Sequence, residues 1–276
     1  MNRLSILFLI LLMAGCSSDR FVDRGDYKAD TSFPAVGQND RVSSLVLHYT
    51  ALNDEKSIKV LTQGQVSAHY LVLEHPEKER GKPVVLQLVD ENARAWHAGG
   101  VSNWRGRSNL NDSSIGIEIV NLGYTKTFFG KKWYPFNQQQ IELITHLTKD
   151  IVKRYKLDPT NVIAHSDIAP LRKSDPGPLF PWKGLASIGV GAWPDENVVK
   201  KYIAQRDKYA IASVSEIQKA LAKYGYTIPQ TGELDKDTKR VISAFQMHFR
   251  PADFSGTPDV ETEAIALALV EKYRSK

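Results

Sequence analysis

The chain has 276 residues, which is room for one large domain or two smaller ones, and two fit its layout better. A hydrophobic share of 42% with 24% charged residues excludes a chain disordered throughout. The formal charge of +5 suits a surface working near polyanions such as a bacterial wall or anionic lipid, but no basic cluster interleaved with aromatics is evident, so nucleic acid is not an expected partner.

At the start, Arg3 precedes an apolar run from Leu4 to Met13, and the small residues Ala14 and Gly15 lead to Cys16. That is the layout of a secretory signal peptide, and the run is too short to span a bilayer. Met13-Ala14-Gly15-Cys16 resembles a bacterial lipobox, with Met13 where leucine is usual. The resemblance implies a signal peptide over residues 1–15, lipidation of Cys16 and a membrane anchor at that point. Because Ser17 and not aspartate follows, it also implies an outer-membrane lipoprotein facing the periplasm. The alternative is a cleaved signal with an incidental cysteine. Cys16 is the only cysteine, so stability must come from packing and metal, without a disulfide.

Ser17 to Asp40 is polar, carries Pro34 and Gly37 and shows no sustained period, which predicts a tether over residues 16–40. Strands follow at Ser44–Tyr49, Ala68–Leu73, Val84–Val89 and Ser114–Val120, each a short run rich in Val, Ile, Leu and Tyr between turn formers. From Asn137 to Tyr155 the apolar residues Ile141, Ile144, Leu147, Ile151 and Tyr155 recur every three or four positions, which predicts an amphipathic helix capped by Asn137. Val162–His165 reads as strand again, and Pro170 to Trp182 as a loop dense in Pro and Gly. Beyond Tyr202 short helical stripes appear, Ile217, Leu221 and Tyr224 in one and Val241, Ala244 and Phe245 in another. The expected fold class is α/β (α+β): a mixed central sheet flanked by helices, plus a small C-terminal helical domain.

Two histidines end apolar strands. His48 faces opposite to Leu47 because side chains alternate along a strand, and His165 closes the later run. Asp175 lies in the loop stiffened by Pro176 and Pro178. Two imidazoles and a carboxylate can hold zinc and leave a fourth position open. Taken singly, each histidine reads as readily as a buried or surface residue. No HExxH helix, GxSxG elbow or catalytic cysteine competes with metal hydrolysis.

Five blocks then carry a family resemblance: Leu45-Val46-Leu47-His48-Tyr49-Thr50, Ser67-Ala68-His69-Tyr70, Arg94-Ala95-Trp96-His97-Ala98-Gly99, Asn111-Asp112-Ser113-Ser114-Ile115-Gly116-Ile117-Glu118, and Lys173-Ser174-Asp175-Pro176-Gly177. In this order the sequence resembles the type 2 N-acetylmuramoyl-L-alanine amidases, whose fold is shared with peptidoglycan recognition proteins and a phage lysozyme. The resemblance implies a hydrolase that cuts the amide between N-acetylmuramic acid, ordinary or anhydro, and the L-alanine of the stem peptide in peptidoglycan or muropeptides. It implies Zn2+ on His48, His165 and Asp175, with Glu118 as base and Lys173 as the cation beside the developing oxyanion. Some relatives place a catalytic tyrosine where Ala68 stands, which leaves the base role to Glu118. Glu118 shares its strand face with Gly116 and Val120, away from Ile115, Ile117 and Ile119.

Substrate contacts are expected from Trp96 and His97 in the groove, and from Tyr49, Arg107 and Asn109, with Arg107 facing a stem carboxylate. His69 reads equally as a structural residue, and His75, His146 and His248 as incidental. The tail from Val214 to Tyr273 resembles the three-helix peptidoglycan-binding module, through Ile217-Gln218, Tyr224-Gly225-Tyr226, Thr231-Gly232-Glu233-Leu234-Asp235 and Phe245-Gln246, departing where Gly232 follows Thr231 and not aspartate. These readings divide the chain into an amidase domain over 41–200 and a helical peptidoglycan-binding domain over 201–276. No obligate protein partner is evident. The rival reading is a non-catalytic peptidoglycan sensor on the same fold, and the complete ligand set speaks against it.

Overall fold

The computed structural model of the chain describes residues 20–206 and 211–275. Cys16 and the signal-like stretch lie outside the described residues. By its contacts the chain forms two units, Met1–Asn39 and Asp40–Lys276. Within the first, the polar stretch read as a tether contains a small antiparallel hairpin, β1 (Phe21–Asp23) with β2 (Lys28–Asp30). Its turn follows from the residues: Gly25 takes a positive φ and its N–H donates to the Asp23 carboxylate, while Arg20 pairs with Asp30 at 2.8 Å.

The second unit is built on a five-stranded mixed sheet. In chain order its strands are β3 (Ser44–Tyr49), β4 (Tyr70–Val72), β5 (Leu86–Gln87), β6 (Ser114–Ile119) and, farther on, β9 (Val162–Ala164), arranged in space as β9-β3-β6-β4-β5. All neighbours are parallel except β4 and β5. Helix α1 (Asp54–Gln63) follows β3, capped by Asn53, whose side chain accepts from the Lys56 N–H at 3.1 Å. Sequence periodicity does not reveal it, because it buries only Ser57 and Leu61. A second hairpin, β7 (Tyr124–Thr127) with β8 (Gly130–Trp133), stands between β6 and the long helix α2 (Gln138–Tyr155). That helix starts where expected, with Asn137 and Gln140 forming a reciprocal capping box.

The two sheet faces are apolar for different reasons. Leu45, Leu47, Ile115, Ile117 and Ile119 pack against Leu143, Ile144, Leu147 and Ile151 of α2. On the other side Val46 and Ile163 join a cluster that continues through Trp104 and Ile168 into the C-terminal helices α6 (Val214–Tyr224), α7 (Lys236–Phe249) and α8 (Val260–Arg274). Between sheet and tail come α3 (His165–Ile168), α4 (Trp182–Ser187) and α5 (Glu196–Ala204). Trp104 meets Tyr224 and Tyr226 edge to face, with centroids 5.9 and 5.0 Å away, and donates its indole N–H to the Thr160 carbonyl at 2.9 Å. The helical tail therefore shares a core with the sheet.

Candidate metal centre and active site

The site forms at the C-terminal ends of β3, β6 and β9. Parallel register puts Glu118 of β6 directly opposite His48 of β3. Since Leu47 and Ile117 point into the core against α2, His48 and Glu118 both point to the other face. His165 begins α3 rather than ending the strand as the sequence pattern suggests. The helix starts there because Asp167 accepts the Ala164 N–H at 2.8 Å and so caps it. Asp175 is drawn in by a bond from the Ser166 N–H to its carbonyl at 2.9 Å.

Three ligand atoms converge. His48 Nδ1 lies 2.9 Å from His165 Nδ1, and Asp175 Oδ2 lies 3.2 and 2.9 Å from these two nitrogens. One proton can bridge a single pair of such atoms but not all three. A tetrahedral ion with bonds of about 2.0–2.1 Å sets its ligand atoms about 3.3 Å apart, close to this triangle. All three residues are buried. Burial, aided by His165, lowers His48 to about 4 against the pull of Asp175, so its imidazole is neutral and ready to ligate at neutral pH. Burial works to raise Asp175, but His165 and His48 outweigh it and hold the carboxyl well below its usual range. The residues fit a divalent cation.

A chain of hydrogen bonds behind His48 fixes its tautomer. Ser114 Oγ donates to the Leu110 carbonyl at 2.5 Å, and a carbonyl can only accept. The same hydroxyl therefore accepts from His97 Nε2 at 3.2 Å, which leaves His97 Nδ1 to accept from His48 Nε2 at 3.1 Å. The His48 proton is thereby kept on Nε2 and the Nδ1 lone pair faces the other ligands. His97 fits beneath His48 only because residue 116 is glycine: a Cβ there would stand 2.3 Å from the His97 ring. Asn111 anchors the loop, accepting from the backbone N–H groups of His97 and Ala98 at 3.1 and 2.7 Å. His69 is structural, its Nδ1 accepting from the Gly116 N–H at 3.0 Å.

In front of the ligands lies a cavity of about 650 Å³. Glu118 reaches within 4.0 Å of His48 Nδ1, and its buried Oε2 has no hydrogen-bond partner among the described residues. Burial, then the Asp175 charge, lifts this carboxyl to about 8, with Lys173 opposing. Tyr49, Trp96, His97 and Lys173 also line the cavity. Burial raises the Tyr49 phenol to about 12, and its hydroxyl lies 3.2 Å from Ser174 Oγ. Trp96 stands on the rim, 53% exposed.

Arg107 and Asn109 do not line this cavity. Arg107 donates to Ser43 Oγ at 2.6 Å, at the start of β3, and five residues of strand put that point about 16 Å from His48. Asn109 takes a left-handed conformation at the entry of the turn Leu110–Asp112, a backbone duty. Ser114, Asn111 and Ser174 sat in the quoted motifs without a role, and only tertiary contacts reveal one.

Comparison with known proteins agrees with this geometry. A family model described as N-acetylmuramoyl-L-alanine amidase matches residues 38–178, and one for a peptidoglycan binding domain matches residues 212–265. The N-acetylmuramoyl-L-alanine amidase AmiD of Escherichia coli is 47% identical over 264 residues, 95% of each chain. Its solved structure superposes with a TM-score of 0.87, covering 93% of this chain and 99% of that one. AmpDH3 of Pseudomonas aeruginosa, 42% identical, superposes with a TM-score of 0.78 over 92% of this chain and 99% of its own. With a family match across half of its length and a relative aligned along nearly all of it, the chain belongs to the N-acetylmuramoyl-L-alanine amidase family.

Proposed function

We propose that the chain hydrolyses the amide between N-acetylmuramic acid and L-alanine using one zinc ion held by His48, His165 and Asp175, with Glu118 as base and Lys173 beside the developing oxyanion. The observation that carries this reading is the convergence of three ligand atoms within hydrogen-bonding distance of one another, next to a carboxylate whose buried Oε2 has no hydrogen-bond partner among the described residues. Two imidazoles and one carboxylate with a fourth direction open are the donor set of a hydrolytic zinc site. Zinc so held supplies Lewis acidity and makes water in its reach acidic enough to react near neutral pH.

The chain's own groups do the rest. Glu118 Oε2, free of other bonds, takes the proton of the attacking water and passes it to the leaving amine nitrogen. A cation beside the ligands counters the burial that raises Glu118, and so favours its ionised form. The Lys173 ammonium meets the carbonyl oxygen as negative charge builds on it. Tyr49 stays a neutral donor at working pH, and Trp96 at the rim offers a face to the sugar or stem.

The anhydro sugar is included in the proposed substrate range, because AmiD of E. coli is solved with anhydro-N-acetylmuramic acid-L-Ala-D-γ-Glu-L-Lys and AmpDH3 with an anhydromuramic pentapeptide. The signal-like start and Cys16 support a lipid anchor at the outer membrane, facing the periplasm. The match over residues 212–265 supports peptidoglycan binding by the tail, which would raise the local concentration of substrate. Mass spectrometry of muropeptides incubated with the protein tests the reading. Peptide release is expected to stop with a chelator and to fall by about 10²–10⁴-fold in Glu118→Gln, with zinc still bound. Chelator-resistant release overturns it.

A further inference from the structure

A second groove, of about 410 Å³, adjoins the catalytic cavity and shares Tyr124, Arg172, Lys173 and Ser174 with it. It runs from the β7–β8 hairpin to helix α7. Four cations line it: Lys131 on β8, Arg172 and Lys173 in the loop after α3, and Arg240 on α7. No Asp or Glu lines it, and among the described residues none of the four forms an ion pair.

Three of these cations are held in place. Arg240 donates through Nη1 to the Leu171 carbonyl at 2.7 Å, and Arg172 donates to the Gly99 and Val101 carbonyls. The Lys131 ammonium sits 4.0 Å from the centre of the Tyr124 ring. A guanidinium carries five N–H donors, so a carbonyl bond orients Arg240 and leaves donors for a ligand. Gathering like charges in one recess costs energy unless an anion enters, and a carboxylate matches the guanidinium fork. Trp133 and Phe254, with ring centroids 6.1 Å apart, give the groove an apolar wall.

We propose that this groove binds the acidic part of the stem peptide beyond the scissile amide, with Arg240 and Lys131 gripping its free carboxylates. The inference rests on the amidase reading. A γ-linked glutamate keeps its α-carboxylate, as in the peptide solved with E. coli AmiD, and the stem's C-terminus adds another. Since Lys173 borders both spaces, a stem leaving the catalytic cavity enters the groove directly. The C-terminal helices thus take part in choosing substrates by stem length and charge.

The test uses the full chain, the free peptide L-Ala-D-γ-Glu-L-Lys and the same peptide with its carboxylates amidated, titrated by calorimetry. The acid form is expected to bind about tenfold tighter than the amide, and the Lys131→Glu/Arg240→Glu variant to abolish that difference. In hydrolysis, the ratio of kcat/KM for the tripeptide substrate to that for N-acetylmuramoyl-L-alanine is expected to fall about tenfold in the variant, through KM. Equal binding of the two peptides, or a ratio unchanged by the variant, overturns the proposal. Peptide binding that follows this pattern in a chain that releases no peptide would sink the amidase reading and leave the groove standing.

Discussion

A single hydroxyl proton, on Ser114, decides which nitrogen of His48 is free to ligate. The Leu110 carbonyl can only accept, and that constraint passes through His97 to His48. Removing such an outer partner weakens metal binding about 10–100-fold. Ser114→Ala and His97→Leu are therefore expected to lower zinc affinity by that factor, read by competition with a chromophoric chelator. Unchanged affinity in both would remove the tautomer argument. The three residues that converge were legible, because strand alternation fixed where His48 pointed and the motifs supplied the others. His97 was read as a groove residue. Its place beneath His48 depends on the missing side chain of Gly116, a contact across two strands that no local pattern encodes.

At the scale of elements, two carboxylates, half-buried Glu91 and buried Asp167, join pieces distant in sequence. Glu91 takes Arg154 of α2, Tyr70 of β4 and Tyr155 together. The Arg154 guanidinium, against the effect of burial and with help from Tyr70 and Tyr155, lowers it from 4.5 to about 2. A depressed carboxylate stabilises the fold above its unfolded pKa and loses that contribution as pH falls through the folded value. Stability measured by denaturant is expected to decline between about pH 5 and 2, and Glu91→Gln to flatten that slope. Asp167 is the second joint. It caps α3, which carries His165, and it also accepts from Tyr226 at 2.6 Å and His248 Nδ1 at 2.7 Å in the tail. His248, set aside in the sequence as incidental, is stacked between Trp182 and Phe249. His248→Leu is expected to cost about 1–3 kcal/mol by taking one of three donors from the buried Asp167 carboxylate, read as a lower denaturant midpoint with unchanged slope. The strand read through His165 ends one residue early because Asp167 caps a helix there, and Asp167 is itself held by Tyr226 and His248, 59 and 81 positions away.

For the whole molecule, the sheet, α2 and two of the tail helices were legible from periodicity and turn formers, while the third came only with the resemblance to the three-helix module. What sequence could not give was how they join. Trp104 and Ile168 are each 2% exposed beneath the tail, and Trp193 packs there as well. Uncovering such side chains forfeits about 1.5–3 kcal/mol each, against a typical domain stability of about 5–15 kcal/mol. A chain cut before residue 212 is expected to be unstable or insoluble, checked by circular dichroism. A cooperative melt at the full-length temperature would show that the tail is a mere appendage. The groove cations likewise come from three separate stretches of sequence, which is why no basic run announced them.

The most direct test of the central claim is to strip the chain of metal and return zinc in measured steps while following peptide release from a muramoyl-L-alanyl peptide. Activity should be absent at the start, rise in proportion to the zinc added and level off at one ion per chain. Full activity before any zinc is returned, or a plateau at another ratio, would contradict a single ion held by His48, His165 and Asp175.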